Sequence, residues 1–252
     1  LAPAEYAKRY LSYDVKVGAP PRVVTVKLKS LKYRNAQREN FTKTSPEMLA
    51  KDAVQGKGGP GWTQAIQSAF MGKGSPEGIA RVLELVAQHD LWAFGDPAWG
   101  NDLKKQSIPI EDKLEKYCDR MIGLDCLGFV INYVQSQKTP RPSVSPLSAD
   151  MPHFRTPPFL PRATILNIRT GDVVVWDEPP RHIAMIGSTG WDLGSVGKFP
   201  FVMAAADTNF GPAGLVMANF GLRPAGQAGT YTFVGKFHSQ AVRIFGTDPP
   251  WF

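Results

Sequence analysis

Gly123-Leu124-Asp125-Cys126-Leu127-Gly128-Phe129-Val130 is the stretch on which the fold turns. A cysteine stands directly after an Asp, at the start of an apolar run that continues through Tyr133 and Val134. The spacing of Phe129, Val130, Tyr133 and Val134 predicts a helix over about Cys126–Gln137. That places Cys126 at a helix N-terminus, where unpaired N–H groups and a partial positive charge favour a thiolate. The same N–H groups are suited to stabilising an oxyanion on an attacked carbonyl. Gly128 leaves room for a substrate backbone near the sulfur.

A charged helix is expected upstream over Glu111–Arg120. Downstream, residues 139–162 carry seven prolines and read as a long irregular connection. Strand signals follow. Asp172–Trp176 leads through the turn Asp177-Glu178-Pro179-Pro180 into His182–Gly187, and Phe201–Ala206, Thr230–Val234 and Gln240–Phe245 complete the set. The C-terminal half is therefore expected to be α+β, with a nucleophile-bearing helix packed on an antiparallel sheet.

A thiolate nucleophile works with a histidine and a polar group that orients it. Of His89, His153, His182 and His238, only His182 opens a strand directly after a strand and a tight turn. The order Asp125-Cys126-Leu127-Gly128-Phe129-Val130, then Gly171-Asp172-Val173-Val174-Val175-Trp176, then His182-Ile183-Ala184-Met185-Ile186-Gly187 resembles the NlpC-type cysteine peptidases, a papain-like family of cell-wall hydrolases. The resemblance covers roughly residues 110–210. It implies a papain-like fold, Cys126 as nucleophile and His182 as general base. It also implies Asp125 in contact with the polar end of a bound peptide, and no metal or organic cofactor. The implied substrates are peptidoglycan peptides cut at γ-D-glutamyl–diamino acid bonds, with an N-acetylmuramoyl–L-alanine amidase as the near alternative. A secreted or cell-envelope location goes with them. Leu127 departs from the family's serine at that position.

The family's third member lies on the strand after the histidine's. If Gly187 pairs near Phe201 or Val202, His182 comes opposite Ala206 or Asp207. Asp207 is then the candidate, with Asn209 second. The plainer readings stand beside these. Free cysteines are often simply buried, Asp172 closes a turn, and each of the six tryptophans serves a core. Trp176, next to the His182 strand, is the one proposed to touch substrate.

Upstream, Ser75-Pro76-Glu77 is a helix start, and Ile79, Val82, Leu83 and Val86 form the apolar stripe of a helix from about Pro76 to His89. Ser45-Pro46-Glu47 gives the same start signal, and Trp62–Met71 reads as a short helix. Gly72-Lys73-Gly74-Ser75 fails the phosphate-loop pattern, since Gln67 stands where its first glycine belongs. Residues 1–105 are therefore read as an N-terminal basic strand plus helical region, and 106–252 as the catalytic domain.

Composition sets the remaining bounds. The chain has 252 residues and a net charge of +7. Residues 1–43 hold ten Lys/Arg against three Asp/Glu, which accounts for the whole excess. In Val23–Tyr33, Val24, Val26 and Leu28 alternate with Thr25, Lys27 and Lys29, the pattern of a half-exposed strand. Its lysines are first a solvated face and second a weak contact to an anionic surface. No nucleic-acid-binding motif accompanies them, so specific nucleic-acid binding ranks last. A non-catalytic cell-wall binding module on the same fold is the other rival. Two cysteines give neither a disulfide scaffold nor a zinc site.

Overall fold

The computed structural model describes residues 1–29, 31–32, 62–93, 96–137, 151–178, 181–187, 192–193, 197–205, 214–234 and 239–248. The Ser45 helix start, His238, Asp207 and Asn209 lie outside them. The chain divides into two compact units, one of Leu1–Ala7 with Cys126–Phe252 and one of Lys8–Asp125. The units part at Asp125/Cys126, where the sequence reading sets its division at 105/106. The helix over Ile110–Met121 belongs with the upstream unit, and the first seven residues belong with the downstream one.

In the Lys8–Asp125 unit, strands β1 (Ser12–Val17) and β2 (Arg22–Lys27) form an antiparallel hairpin in which Val15 faces Val24 and Tyr13 faces Val26. Alternation sends Tyr13, Val15, Val17, Val24 and Val26 inward and leaves Lys16, Arg22 and Lys27 in solvent. Helices α2 (Trp62–Phe70), α3 (Pro76–Gln88), α4 (Pro97–Lys105) and α5 (Ile110–Met121) complete the unit, with α3 on β1 and α5 on β2. The Ser75 hydroxyl accepts the Gly78 N–H at 3.0 Å and Pro76 takes the first helical position, so α3 starts where its cap and proline place it. Its apolar stripe, Ile79, Val82, Leu83 and Val86, is buried.

The other unit is helix plus antiparallel sheet. Helix α6 runs Cys126–Ser136. The strands are β3 (Leu160–Pro161), β4 (Val173–Trp176), β5 (His182–Ile186), β6 (Asp192–Leu193), β7 (Gly197–Ala205), β8 (Gly214–Pro224), β9 (Thr230–Val234) and β10 (Ser239–Gly246). Their pairing runs β10-β4-β5-β7-β8-β9, and β9 pairs back to β10, so six strands close into a barrel. Closure removes open edges along this ring. The interior is filled by Val174, Trp176, Ala184, Ile186, Phe201, Leu222, Tyr231, Phe233, Val242 and Ile244. The rings of Trp176 and Phe233 meet edge-on at 5.1 Å between centroids, and those of Phe220 and Phe233 lie 5.0 Å apart. β4 and β5 are buried at every position, as strands covered on both faces must be. Helix α6 packs against β5 and β7.

At one end of the barrel Arg162, 5% exposed, forms two hydrogen bonds of 2.9 Å to Asp172. Asp172 also accepts the Arg169 N–H at 2.7 Å, and the Tyr231 hydroxyl donates to the Arg162 carbonyl at 2.6 Å. Burial pushes the Asp172 carboxyl up, against the pull of Arg162 and of the Arg169 N–H. Asp172 therefore ties the segment before β4 to the barrel.

Candidate active site

Cys126 is the first residue of α6, and His182 is the first residue of β5. Both belong to the barrel unit, and the packing of α6 on β5 brings their elements together. Cys126 is 8% exposed and His182 5%. Gly128, the third residue of α6, is buried, and its carbonyl accepts the Asn132 side-chain amide at 2.8 Å. Cys118 is a fully buried residue of α5 and belongs to the other unit.

His182 stands directly opposite Trp176 in the β4–β5 ladder, and their ring centroids are 5.2 Å apart. His182 stands at the first position of β5, at the strand's end, on the Trp176 side of the ladder. Trp176 is wholly buried, with Phe201, Phe233 and His182 around its indole. The ring expected to touch substrate is thus enclosed by aromatic neighbours in the barrel. Val173-Val174-Val175-Trp176 has all four residues buried, so no polar alternation in the sequence marked which side of the sheet each faces.

The register between β5 and β7 also differs from the one expected. Phe201 pairs with Ile186 and Val202 with Met185. The expected register had Gly187, not Ile186, near Phe201 or Val202, so the paired residues are offset from it by one or two. Asp207 and Asn209 themselves fall outside the described residues.

Asp125 is the last residue of the Lys8–Asp125 unit. It is 6% exposed, and Lys73 Nζ lies 2.6 Å from its Oδ2. Its backbone N–H donates to the Gly72 carbonyl at 2.9 Å. The turn that makes this pairing uses Gly72 at φ +75°, a conformation glycine adopts without strain. Lys73 is the residue that sequence reasoning passed over. It stood in a failed phosphate-loop pattern, and nothing local marked it as the counter-ion of Asp125.

Compared with protein-family models, with curated proteins and with solved structures, the chain matches none. Among the described residues no group of three or more His, Cys, Asp or Glu side chains is placed to hold a metal ion. None of the described helices is long and apolar enough to cross a membrane.

Proposed function

We propose that the protein is a cysteine peptidase of papain-like design that hydrolyses amide bonds in bacterial cell-wall peptides. One observation carries the reading: a cysteine opens helix α6, and that helix packs on the strand opened by a buried histidine. Cys126 thiolate adds to the substrate carbonyl, and the oxyanion is met by the N–H groups of the first turn of α6. The C–N bond breaks as His182 delivers a proton to the leaving amine, which leaves an acyl thioester on Cys126. His182 then takes a proton from water, the water attacks the thioester, and the acid and the thiol are released. The default bond is γ-D-glutamyl–diamino acid, with the N-acetylmuramoyl–L-alanine amide as the alternative, and the setting is the cell envelope or its exterior.

The test is hydrolysis of purified muropeptides by wild type and Cys126→Ser, with iodoacetamide as a second probe. Activity should fall at least about a thousandfold in the variant and be lost on alkylation. Full activity after both treatments would remove Cys126 from the chemistry. Asp207→Ala, with Asn209→Ala beside it, identifies the orienting residue by the larger loss of kcat.

The 8% exposure of Cys126 and the Leu127 that follows it favour a second reading, a wall-binding module without catalysis. In that case Cys126 alkylates no faster than a simple thiol, and the wild type binds muropeptides without cutting them.

A further inference from the structure

The first seven residues touch both elements that bear the proposed catalytic pair. Ala4 N–H donates to the carbonyl of Gly187, the residue after β5, at 3.4 Å. The Tyr6 ring lies against Phe129 and Tyr133 of α6, with centroids 6.2 and 5.7 Å away. Phe129 and Tyr133 are four apart, so Tyr6 seats on one stripe of the helix. The Tyr133 hydroxyl donates back to the Leu1 carbonyl at 3.0 Å. Burial raises the pKa of that hydroxyl, which keeps it protonated as a donor. Tyr6 is 1% exposed and Ala7 wholly buried, so this segment is packed as core and not draped over the surface.

We infer that Leu1–Ala7, which holds all but the last residue of helix α1 (Pro3–Lys8), is a positioning strap that sets α6 against β5, with Tyr6 as its anchor. The inference rests on the peptidase reading for its functional consequence, but the clamp itself is a separate physical claim. A helix free to slide along β5 carries its N-terminal cysteine with it, and shifts of about 1 Å at reacting atoms cost about a hundredfold in rate. Tyr6 is thus a positioning residue that acts through Phe129 and Tyr133 and touches no substrate.

The experiment uses the full chain as wild type, Tyr6→Ala, Tyr6→Phe and Tyr133→Phe. The rate of Cys126 alkylation by iodoacetamide is followed against pH by peptide mapping, which separates Cys126 from Cys118, and amide hydrogen exchange is followed over α6. Tyr6→Ala should slow Cys126 alkylation at pH 7 about tenfold and move its midpoint towards that of a free thiol, ~8.5. Exchange at Phe129–Val134 should rise. Tyr6→Phe, which keeps the ring contacts, should restore both readouts. Tyr133→Phe, which removes only the bond to Leu1, should shift both in the same direction by less, and it carries the test if Tyr6→Ala does not fold. A folded Tyr6→Ala with the wild-type pH profile and wild-type exchange overturns the strap. If Cys126 is inert in the wild type, the peptidase reading fails, and exchange in α6 alone decides the clamp: faster exchange in Tyr6→Ala supports it and unchanged exchange overturns it.

Discussion

Arg162 and Asp172 form a buried, doubly hydrogen-bonded ion pair that Gly246 makes room for. A Cβ on Gly246 would land on Asp172 Oδ1 and Arg162 Nη2. Gly246→Ala should therefore push the pair apart, leaving Asp172 to the Arg169 N–H and Arg162 to Asp248 and the Thr247 carbonyl. Breaking a buried pair costs about 3–5 kcal/mol, and a loss of that size should appear in urea unfolding. Gly226, whose Cβ would meet nothing, has φ +81°, so Gly226→Asn serves as a control that tolerates the turn. A Gly246→Ala protein as stable as wild type would mean that the pair adapts freely and does not hold the barrel end.

The Lys73–Asp125 pair makes a second prediction about a buried charge. Lys73→Met should take the ammonium away from the buried Asp125 carboxylate and cost about 3 kcal/mol, read as a lower urea midpoint. Lys73→Met with Asp125→Asn should regain part of that loss, because the remaining buried group is then neutral. If Asp125→Asn instead leaves stability untouched and abolishes substrate binding, the carboxylate serves the ligand and not the fold.

Asp96 supplies a pH test within the other unit. It caps α4 by accepting the Trp99 N–H at 3.2 Å and accepts from Arg120 at 2.7 Å, while the guanidinium lies over the Trp99 ring. The Arg120 hydrogen bond and then the Trp99 N–H hold its carboxyl below the usual range. A depressed folded pKa stabilises above the unfolded value, about 3.9 for Asp, and that contribution fades as pH falls through the folded value. Asp96→Asn keeps an acceptor for Trp99 but loses the charge. Wild type should be the more stable of the two at pH 7, and the gap in Tm should close below about pH 4. The gap should be small, because both partners are partly exposed and solvent screens the pair.

The exposed lysines of the hairpin test the role proposed for the basic segment. Lys27 and Lys29 lie in solvent, while Val24, Val26 and Leu28 hold the strand in place. Lys27→Glu with Lys29→Glu should fold normally and bind isolated cell walls more weakly, with a flatter dependence on salt. Equal binding would reduce these lysines to a solvated face. Truncation of residues 1–43 does not ask this question cleanly, because it also removes Tyr6 from the barrel unit.

Much of the architecture was legible where two local signals agreed. α3 was marked by Ser75, Pro76 and a 3.6-residue stripe, and the structure starts and ends it within a residue of the expected bounds. β9 spans Thr230–Val234 as expected, since its alternation is clean. β8 was missed because Gly214, Ala218, Asn219, Gly221 and Pro224 dilute its strand signal, and Gly221 and Leu222 are buried in succession. The division between the contact-defined units had no local signal for a different reason. It falls between Asp125 and Cys126, two consecutive residues with no Gly or Pro linker, inside a stretch read as a single motif. The candidate nucleophile and base were legible as residues at element starts. The surroundings of Asp125 and Trp176 were not, because Lys73 and Phe233 lie far from them in the chain and no local pattern records such partners.

The barrel unit is interrupted in sequence, with residues 8–125 standing between Ala7 and Cys126. A ribosome therefore releases α1 long before any surface it packs on has been made. At about 5–20 residues per second the intervening stretch takes on the order of ten seconds. During that time the apolar side of α1, with Tyr6 and Ala7, has no barrel to cover it, while the Lys8–Asp125 unit has its whole sequence outside the tunnel before the first strand of the barrel is synthesised. The nascent chain thus has a fixed order of maturation, the inserted unit first and the cysteine-bearing unit only after its last strand, β10, has paired.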